Sequence, residues 1–398
     1  MIKQLSYRHT VAACSISYTI QAIVNNYAPL LFVTYNKVYN ISFDKIALLI
    51  TLNFFTQLII DMFSALLADK IGYRKLIIVA HVFAIAGFWC LAVLPEIMNP
   101  FSGLVISVII YGMGGGLLEV LISPVVEAGP SNEKSTVMNF IHSFYSWGQL
   151  LVVLLSTLFF VTFGIENRIY LTFLWTIIPL CNMVYFLFVP VYTLEDKNDG
   201  MSIADLFKNK TFYLMVVLMI CSGAAELGMS QWASAFAESG LKVSKTVGDI
   251  LGPCMFALFM GISRMFYSFK GNKYNLEKYT LFCAILCMSS YLIAALTKNP
   301  LIALSGCAIC GFSVGVMWPG TYVIAHKKIP KGGTALFALL ALAGDAGCTS
   351  GPTVIGLVSS VYSDNLKTGI LAGSVFPLIM TLILCISLFK RTKKSNLL

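Results

Sequence analysis

Apolar residues fall in twelve long runs along the chain, and short polar stretches separate the runs. Each run has about 20 residues or more, which is the length that a helix needs to cross roughly 30 Å of hydrocarbon. The pattern therefore predicts an all-α membrane protein with twelve transmembrane helices. The predicted spans are residues 9–34, 45–68, 74–95, 101–126, 136–163, 168–192, 211–236, 246–268, 276–297, 300–326, 334–361 and 366–389.

One longer polar gap, after Tyr192, divides the twelve runs into two sets of six. We expect a six-helix bundle over residues 1–193, a cytoplasmic linker over 194–210, and a second six-helix bundle over 211–398. Shifting the chain by half its length also superposes several glycines. The superposed pairs are Gly72 on Gly271, Gly112 on Gly311, Gly116 on Gly315 and Gly148 on Gly347.

Two of these glycine pairs lie in spans that correspond under such a repeat. Gly112 and Gly116 lie in the fourth span, and Gly311 and Gly315 lie in the tenth. Glycines at positions i and i+4 let two helix backbones approach closely. Internal repeats packed around a central site are the architecture of many transporters, so the pattern predicts two pseudo-symmetric bundles.

Composition and charge agree with a membrane domain. Of the 398 residues, 58% are hydrophobic and 11% are charged, which leaves no room for a soluble domain. The net charge is +9, but most of the Lys and Arg residues fall in alternate loops on one side. This positive-inside pattern predicts that both termini are cytoplasmic and argues against a nucleic-acid partner. The Lys-, Ile- and Asn-rich composition favours a bacterial inner membrane.

The sequence contains no motif that indicates enzymatic activity, a metal centre or a cofactor. The eleven Cys residues are scattered through apolar spans. Cys307 and Cys310 form a C-x-x-C, for which packing is the simpler interpretation and a metal or redox role the alternative. We therefore expect that the protein has no cofactor and is not an enzyme.

The loop between the second and third spans carries the most specific motif. It reads Ala65-Leu-Leu-Ala-Asp-Lys-Ile-Gly-Tyr-Arg-Lys and resembles the signature loop of the major facilitator superfamily, G-x-x-x-D-R/K-x-G-R-R/K, with Ala65 in place of the first Gly. The resemblance implies the major facilitator fold, a monomer by default, and a gating role for this loop. The matching residues are Asp69, Lys70, Gly72, Arg74 and Lys75. The equivalent loop of the second half lacks the acid; Arg264, near it, either snorkels to the interface or forms a gating ion pair.

Several ionisable residues lie well inside the spans. A charged, unpaired acid at a helix centre costs roughly 2.5–3.5 kcal/mol on insertion scales, and acids without fixed cations therefore tend to hold protons. A proton-binding acid that faces a cavity is what a proton-coupled carrier requires. The candidates for proton coupling are Glu119, His142, Glu226 and Asp345; Asp61 is interpreted as a gate or packing group.

Glu119 and His142 are expected to form a pair. Both lie about 12 Å from the inner face of the membrane, judged by the helical rise of about 1.5 Å per residue. Their spans are consecutive and antiparallel, so we predict that the two side chains share a proton. The alternative is a polar pair that only fixes the fourth span against the fifth.

Polar and aromatic residues in the spans are candidates for solute binding. Glu226 and Gln231 can bind hydroxyl groups, and Trp232 can stack on the apolar face of a sugar ring. The alternative for Trp232 is a residue of the interfacial aromatic belt. The complete set of solute-binding candidates is Gln21, Asn25, Asn26, Asn139, Tyr145, Trp147, Gln231, Trp232 and Trp318.

Four short segments resemble the fucose permease group of sugar–proton symporters. Glu119-Val-Leu-Ile-Ser-Pro resembles a stretch in which the group's Glu precedes Asn-Pro and serves proton coupling, with Ser123 here in place of Asn. Asn139 to Gly148 resembles the stretch in which a Gln or His contacts substrate. Glu226 with Trp232 recurs in bacterial relatives. The first span departs from the group because it lacks the acid found there.

We therefore predict a proton-coupled symporter for a sugar or similar hydroxylated solute, in which two bundles rock around a midplane cavity. Its partners are a small solute, protons and the lipid bilayer. One alternative is a polyspecific drug/proton antiporter, which Met-rich and aromatic spans would suit. Another is a sensor or lipid scramblase on the same fold.

Overall fold

The computed structural model describes residues 5–130, 134–192, 201, 203–270 and 275–395. Within these ranges it does not describe the side chains of residues 65–67, 69, 134–136, 139, 268–270, 333–334 and 389–395. The predicted site residues Asp69 and Asn139 therefore lie outside the described side chains, and residues 194–200 and 202 of the predicted linker lie outside the described residues. The chain forms two compact units, Met1–Asp196 (unit 1) and Lys197–Leu398 (unit 2).

All regular secondary structure in the described ranges is helical. Unit 1 contains α1 (Tyr7–Asn26), α2 (Phe32–Tyr39), α3 (Phe43–Ile71), α4 (Tyr73–Ile97), α5 (Pro100–Glu127), α6 (Lys134–Phe163), α7 (Arg168–Trp175) and α8 (Ile177–Phe188). Unit 2 contains α9 (Ile203–Lys208), α10 (Lys210–Ala235), α11 (Lys245–Asp249), α12 (Met255–Lys270), α13 (Leu276–Leu296), α14 (Pro300–Val314), α15 (Met317–Lys328), α16 (Gly333–Val361), α17 (Leu366–Gly373) and α18 (Val375–Ser395).

Eleven helical segments in the described ranges are long and apolar enough to cross a membrane, and they coincide with the second to twelfth predicted spans. The first predicted span differs because it is both polar and broken. α1 is followed by a 3₁₀ turn, Ala28–Leu31, that contains Pro29, and then by the short α2. Proline lacks an N–H group and interrupts regular helical hydrogen bonding, which accounts for the break.

The two units repeat the same helix pairings. In unit 1, α5 packs against α3, α4 and α1, α1 packs against α6, and α4 packs against α8. In unit 2, α14 packs against α12, α13 and α10, α10 packs against α16, and α13 packs against α18. Each unit is therefore a bundle built on one plan, as the glycine correspondence predicts.

The superposed glycines occupy equivalent helix contacts. A Cβ at Gly112 would lie 3.1 Å from Oδ1 of Asn53, so this face of α5 packs against α3. A Cβ at Gly311 would collide with the carbonyl oxygen of Phe256, so the same face of α14 packs against α12. Only glycine permits the second approach, because the obstructing atom belongs to the backbone.

Candidate functional site

The signature loop is a tight turn whose arginine binds the end of another helix. Gly72 has a φ of 95°, a left-handed conformation that favours glycine, and it separates α3 from α4. Arg74 donates hydrogen bonds of 2.8 Å to the carbonyl oxygens of Phe186, Leu187 and Val189. These carbonyls lie at the end of α8, where a cation is favourable, so Arg74 stabilises a helix terminus within unit 1. Lys70 and Lys75 are exposed.

Polar side chains of α1 meet α5 in an antiparallel register. The hydroxyl of Tyr18 lies 2.7 Å from that of Ser123. One turn further along α1, Nε2 of Gln21 donates a hydrogen bond to Oε2 of Glu119, which lies one turn back along α5. Spacings of three and four residues place these side chains on one face of each helix. The half-buried Glu119 carboxylate is thereby held by the buried amide of Gln21.

His142 of α6 joins the same network. Its Nε2 lies 3.3 Å from the hydroxyl of Tyr18 and 3.2 Å from that of Ser123, so three polar atoms from three helices form a triangle. Hydroxyl hydrogens rotate, and each hydroxyl can donate or accept. Nε2 of His142 can therefore accept a hydrogen bond from a hydroxyl when the ring is neutral, and it can donate one to a hydroxyl when the ring is protonated. His142 is exposed, whereas Tyr18 is buried.

The sharing of a proton by Glu119 and His142 stays a prediction. The structure links both residues to α1, through Gln21 and Tyr18. Tyr18 was absent from the predicted site. The signal that would have identified it is the recurrence of Tyr18, Gln21 and Asn25 at spacings of three and four residues, which places them on one face of α1.

Three buried amides connect α1 to α3. Nδ2 of Asn53 and Nε2 of Gln57 donate to Oδ1 of Asn25 at 3.1 and 2.8 Å, and Nε2 of Gln57 also donates to Oδ1 of Asn53 at 3.0 Å. Asn53 and Gln57 were not among the predicted site residues. Their spacing of four residues, continued by Asp61 four residues later, was the signal that could have revealed a polar stripe on α3.

Asp61 lies at the inner end of this stripe, beside Glu119. A carboxylate oxygen of Asp61 lies within 4.8 Å of one of Glu119. Two carboxylates this close in a low-dielectric setting repel each other when both are ionised. Asp61, expected to be a gate or packing group, thus lies beside Glu119, the predicted proton-coupling acid.

The remaining predicted residues of unit 1 border this network. Asn26 is buried and donates to the carbonyl oxygen of Ala22 at 2.9 Å and to the hydroxyl of Tyr145 at 3.5 Å. Tyr145 and Trp147 are half-buried on α6. Among the predicted solute-binding residues of unit 1 whose side chains are described, these two are the aromatic ones, and both retain exposed surface.

In unit 2 the predicted coupling residue Glu226 has a cationic partner. Nη2 of Arg264, on α12, lies 3.5 Å from Oε1 of Glu226, on α10. Glu226 is buried and Arg264 is half-buried. Of the two sequence alternatives for Arg264, this geometry favours the ion pair. Proton binding at Glu226 would compete with Arg264, so two of the three acids of the predicted coupling set, Glu119 and Glu226, have different surroundings.

The other candidates of unit 2 are mostly buried in its core. The Trp232 side chain has no exposed surface, and its Nε1 donates to the carbonyl oxygen of Pro352 at 2.9 Å. A buried, bonded indole packs α10 against α16 and has no exposed surface in this structure, and its stacking on a sugar ring stays a prediction. Gln231 and Asp345 are also buried. Trp318 is half-buried, and its ring covers Gly344 and approaches Gly223.

The sequence profile of the Major Facilitator Superfamily matches residues 13–352. The chain belongs to the Major Facilitator Superfamily. The repeated helix pairings and the signature loop are therefore features of a transporter family. No curated protein matches the sequence.

Solved structures of this family share the fold. The chain is similar to a D-xylose-proton symporter, with a TM-score of 0.76 and 14% identity over 94% of this chain and 97% of the symporter. It is similar to a variant of the Escherichia coli fucose:proton symporter, with a TM-score of 0.67 and 17% identity over 96% and 99%. It is also similar to a variant of a nucleoside transporter, with a TM-score of 0.77 and 13% identity over 96% and 99%.

Proposed function

We propose that this protein is a proton-coupled symporter for a sugar or a similar polar, hydroxylated solute. The observation that carries the proposal is the network of unit 1, in which Glu119 and His142 are each held by a polar residue of α1. Ionisable groups at membrane depth are costly and are typical of proton pathways. Solved relatives of the same fold are named as symporters of protons with D-xylose or fucose.

In this proposal Glu119 carries the proton. Its neighbour Asp61 favours a shared proton over two ionised carboxylates, which prevents the empty carrier from holding two charges in hydrocarbon. His142 accepts or donates within the hydroxyl triangle, so its protonation changes without the loss of its partners. Loading of the solute and of the proton then opens the site to one membrane face at a time.

We propose Tyr145 and Trp147 as the solute contacts of unit 1. Their rings retain exposed surface, and an aromatic face packs on the apolar face of a sugar ring while a phenol hydroxyl binds sugar hydroxyls. The buried amides Gln21, Asn25 and Asn26 position the network instead. Trp318 stays the predicted contact of unit 2, and Asn139 lies outside the described side chains.

We further propose two bundles joined by a cytoplasmic linker, both termini in the cytoplasm of a bacterial cell, and a monomer in the inner membrane. The positive-inside distribution of Lys and Arg supports this orientation. Reporter fusions to the C-terminus test it: a reporter that is active only in the cytoplasm should be active, and one that requires export should be inactive.

Transport by purified protein in liposomes tests the function. We expect an inward proton gradient to drive accumulation of at least one member of a panel of pentoses, hexoses and nucleosides, and a protonophore to abolish it. A solute that only equilibrates would contradict proton coupling. Expulsion of amphipathic dyes without any sugar uptake would favour an antiporter, and transfer of labelled lipid between leaflets without solute uptake would favour a scramblase.

A further inference from the structure

Sulfur atoms cluster in the core of unit 2, outside the network described above. Sγ of Cys287, on α13, lies 3.8 Å from Sγ of Cys310, on α14. Sγ of Cys307 lies 3.6 Å from Sδ of Met229, on α10. All four side chains are fully buried. Cys307 and Cys310 are the C-x-x-C of the sequence.

The helix contact that brings the two thiols together is tight. A Cβ at Gly306 would lie 2.9 Å from the carbonyl oxygen of Ser290, so the backbones of α13 and α14 approach closely beside the cysteines. A spacing of three residues places Cys307 and Cys310 on neighbouring positions of one helix face. The thiol pair is therefore held by the packing of two long helices.

The number of ligands limits the metals that this pair can bind. In the described part of the chain, no third His, Cys or carboxylate ligand atom lies within 4.8 Å of both sulfurs. Zinc in structural sites takes four such ligands, so the pair is not a zinc site. Soft thiolate ligands select soft metal ions. A divalent ion bound by two thiolates is electrically neutral, which suits a site surrounded by hydrocarbon and apolar side chains.

We propose that Cys287 and Cys310 form a binding site for a divalent thiophilic cation, with Hg²⁺ as the probe, that bridges α13 to α14. Neutral HgCl₂ enters the bilayer; two Hg–S bonds form, two Hg–Cl bonds break, and the two thiol protons leave as two HCl. With metal–sulfur bonds of roughly 2.3 Å, the sulfurs of a linear bridge would be about 4.6 Å apart. The observed 3.8 Å separation requires an opening of less than about 1 Å.

The bridge would restrain a weak point of unit 2. Cys310 lies one turn before the break between α14, which ends at Val314, and α15, which begins at Met317. A metal bound between Cys287 and Cys310 ties the residues before this break to α13. We therefore expect Hg²⁺ to slow any transport that requires this break to bend.

The bridge can be tested in the full chain after replacement of the more accessible cysteines, in the background C90S/C181S/C385S. The protein receives one equivalent of HgCl₂ and is then washed with a monothiol, which removes mercury bound to a single sulfur. Cleavage after the exposed Lys298, in the loop between α13 and α14, separates the two helices. We expect about one mercury ion per chain to remain bound. The fragment that contains Cys287 and the fragment that contains Cys310 should migrate together on a denaturing gel without reducing agent.

Matched variants decide the assignment. C287S and C310S should each lose the retained mercury and the linkage, whereas C307S and the buried control C254S should keep both. C287A serves where C287S fails to elute as a folded monomer. Linkage that persists in C287S or C310S, or that disappears in C307S alone, would overturn the proposal. Dithiol treatment should reverse the linkage, since a dithiol competes for both coordination positions.

Discussion

Corresponding helix contacts in the two units both place glycines on one helix, but the residues that they meet on the facing helix differ in polarity. In unit 1 the glycine face of α5 packs against Asn53 and Gln57 of α3. In unit 2 the glycine face of α14 packs against Phe256 and Met260 of α12. One turn beyond each pair, α3 carries Asp61 and α12 carries Arg264. The repeat therefore preserves close helix packing and leaves the polar side chains free to differ.

The polar link from α1 to α3 in unit 1 also differs from the link from α10 to α12 in unit 2. In unit 1, Asn25 of α1 is bonded to the neutral amides of α3. In unit 2, Glu226 of α10 is paired with Arg264 of α12. The unit 2 acid has a cation nearby, whereas the unit 1 acid, Glu119, is bonded to Gln21 and lies near a second acid. We therefore propose that the proton coupling proposed above depends more on Glu119 than on Glu226, and that the ion pair of Glu226 with Arg264 is mainly structural.

Removal of Arg264 is expected to change the free energy of unfolding most, and it tests the structural role of the ion pair. Arg264→Met leaves the buried Glu226 carboxylate without this partner, and removal of one member of a buried pair costs about 3–5 kcal/mol. We expect about 3 kcal/mol, because Arg264 is only half-buried. Unfolding of the purified protein in mixed detergent measures the change. The double variant E226Q/R264M should recover most of the loss; if it is no more stable than R264M, the pair is not the cause.

The next prediction compares the two acids directly. A gradient of about two pH units can drive about 100-fold accumulation when one proton moves with each solute, since each pH unit is worth about 1.4 kcal/mol. Glu119→Gln should abolish accumulation and retain solute exchange without a gradient. Glu226→Gln should slow transport and still accumulate solute. Loss of accumulation in E226Q with its retention in E119Q would reverse the assignment of the two units.

The glycine contacts provide a test of packing at equivalent positions. Gly311→Ala places a methyl group against the Phe256 carbonyl, which cannot move without its helix, whereas Gly112→Ala meets the Asn53 side chain first, at 3.1 Å. Overpacking typically costs 1–3 kcal/mol, so we expect G311A near the upper end, about 3 kcal/mol, and G112A near about 1 kcal/mol. Thermal unfolding in detergent measures both. Equal melting temperatures would contradict the difference in contact.

The smallest expected effect concerns the hydroxyl triangle. Tyr18→Phe removes one oxygen that lies within hydrogen-bonding distance of both Ser123 and His142. A hydrogen bond contributes about 1 kcal/mol, so we expect proton-driven uptake to fall about fivefold while exchange is unaffected. Tyr291→Phe is the control in unit 2, where the hydroxyl donates to the carbonyl oxygen of Ala225. It should lower stability and leave the coupling unchanged; equal effects on uptake would assign Tyr18 a structural role only.

Much of the architecture could be read from hydropathy, spacing and charge. The number of spans, their approximate limits, the family and the equivalence of the glycine contacts followed from residue patterns, because a helix in lipid must be apolar for about 20 residues and its faces repeat every 3.6 residues. The pairing of Glu119 with His142 came from the same kind of spacing argument and stays a prediction. These predictions depend only on properties of single helices.

Only the packing of distant helices decided which polar groups touch. Residue spacing places Tyr18 and Gln21 on one face of α1, but it does not say that this face meets Ser123 and Glu119, more than a hundred residues later. The sequence allowed Arg264 either to extend to the membrane interface or to form an ion pair, and the structure places it beside Glu226. Trp232 is equally apolar whether it faces a solute or the core, so its burial followed from the contact of α10 with α16. The sequence determines which residues share a helix face, and the tertiary structure determines what each face meets.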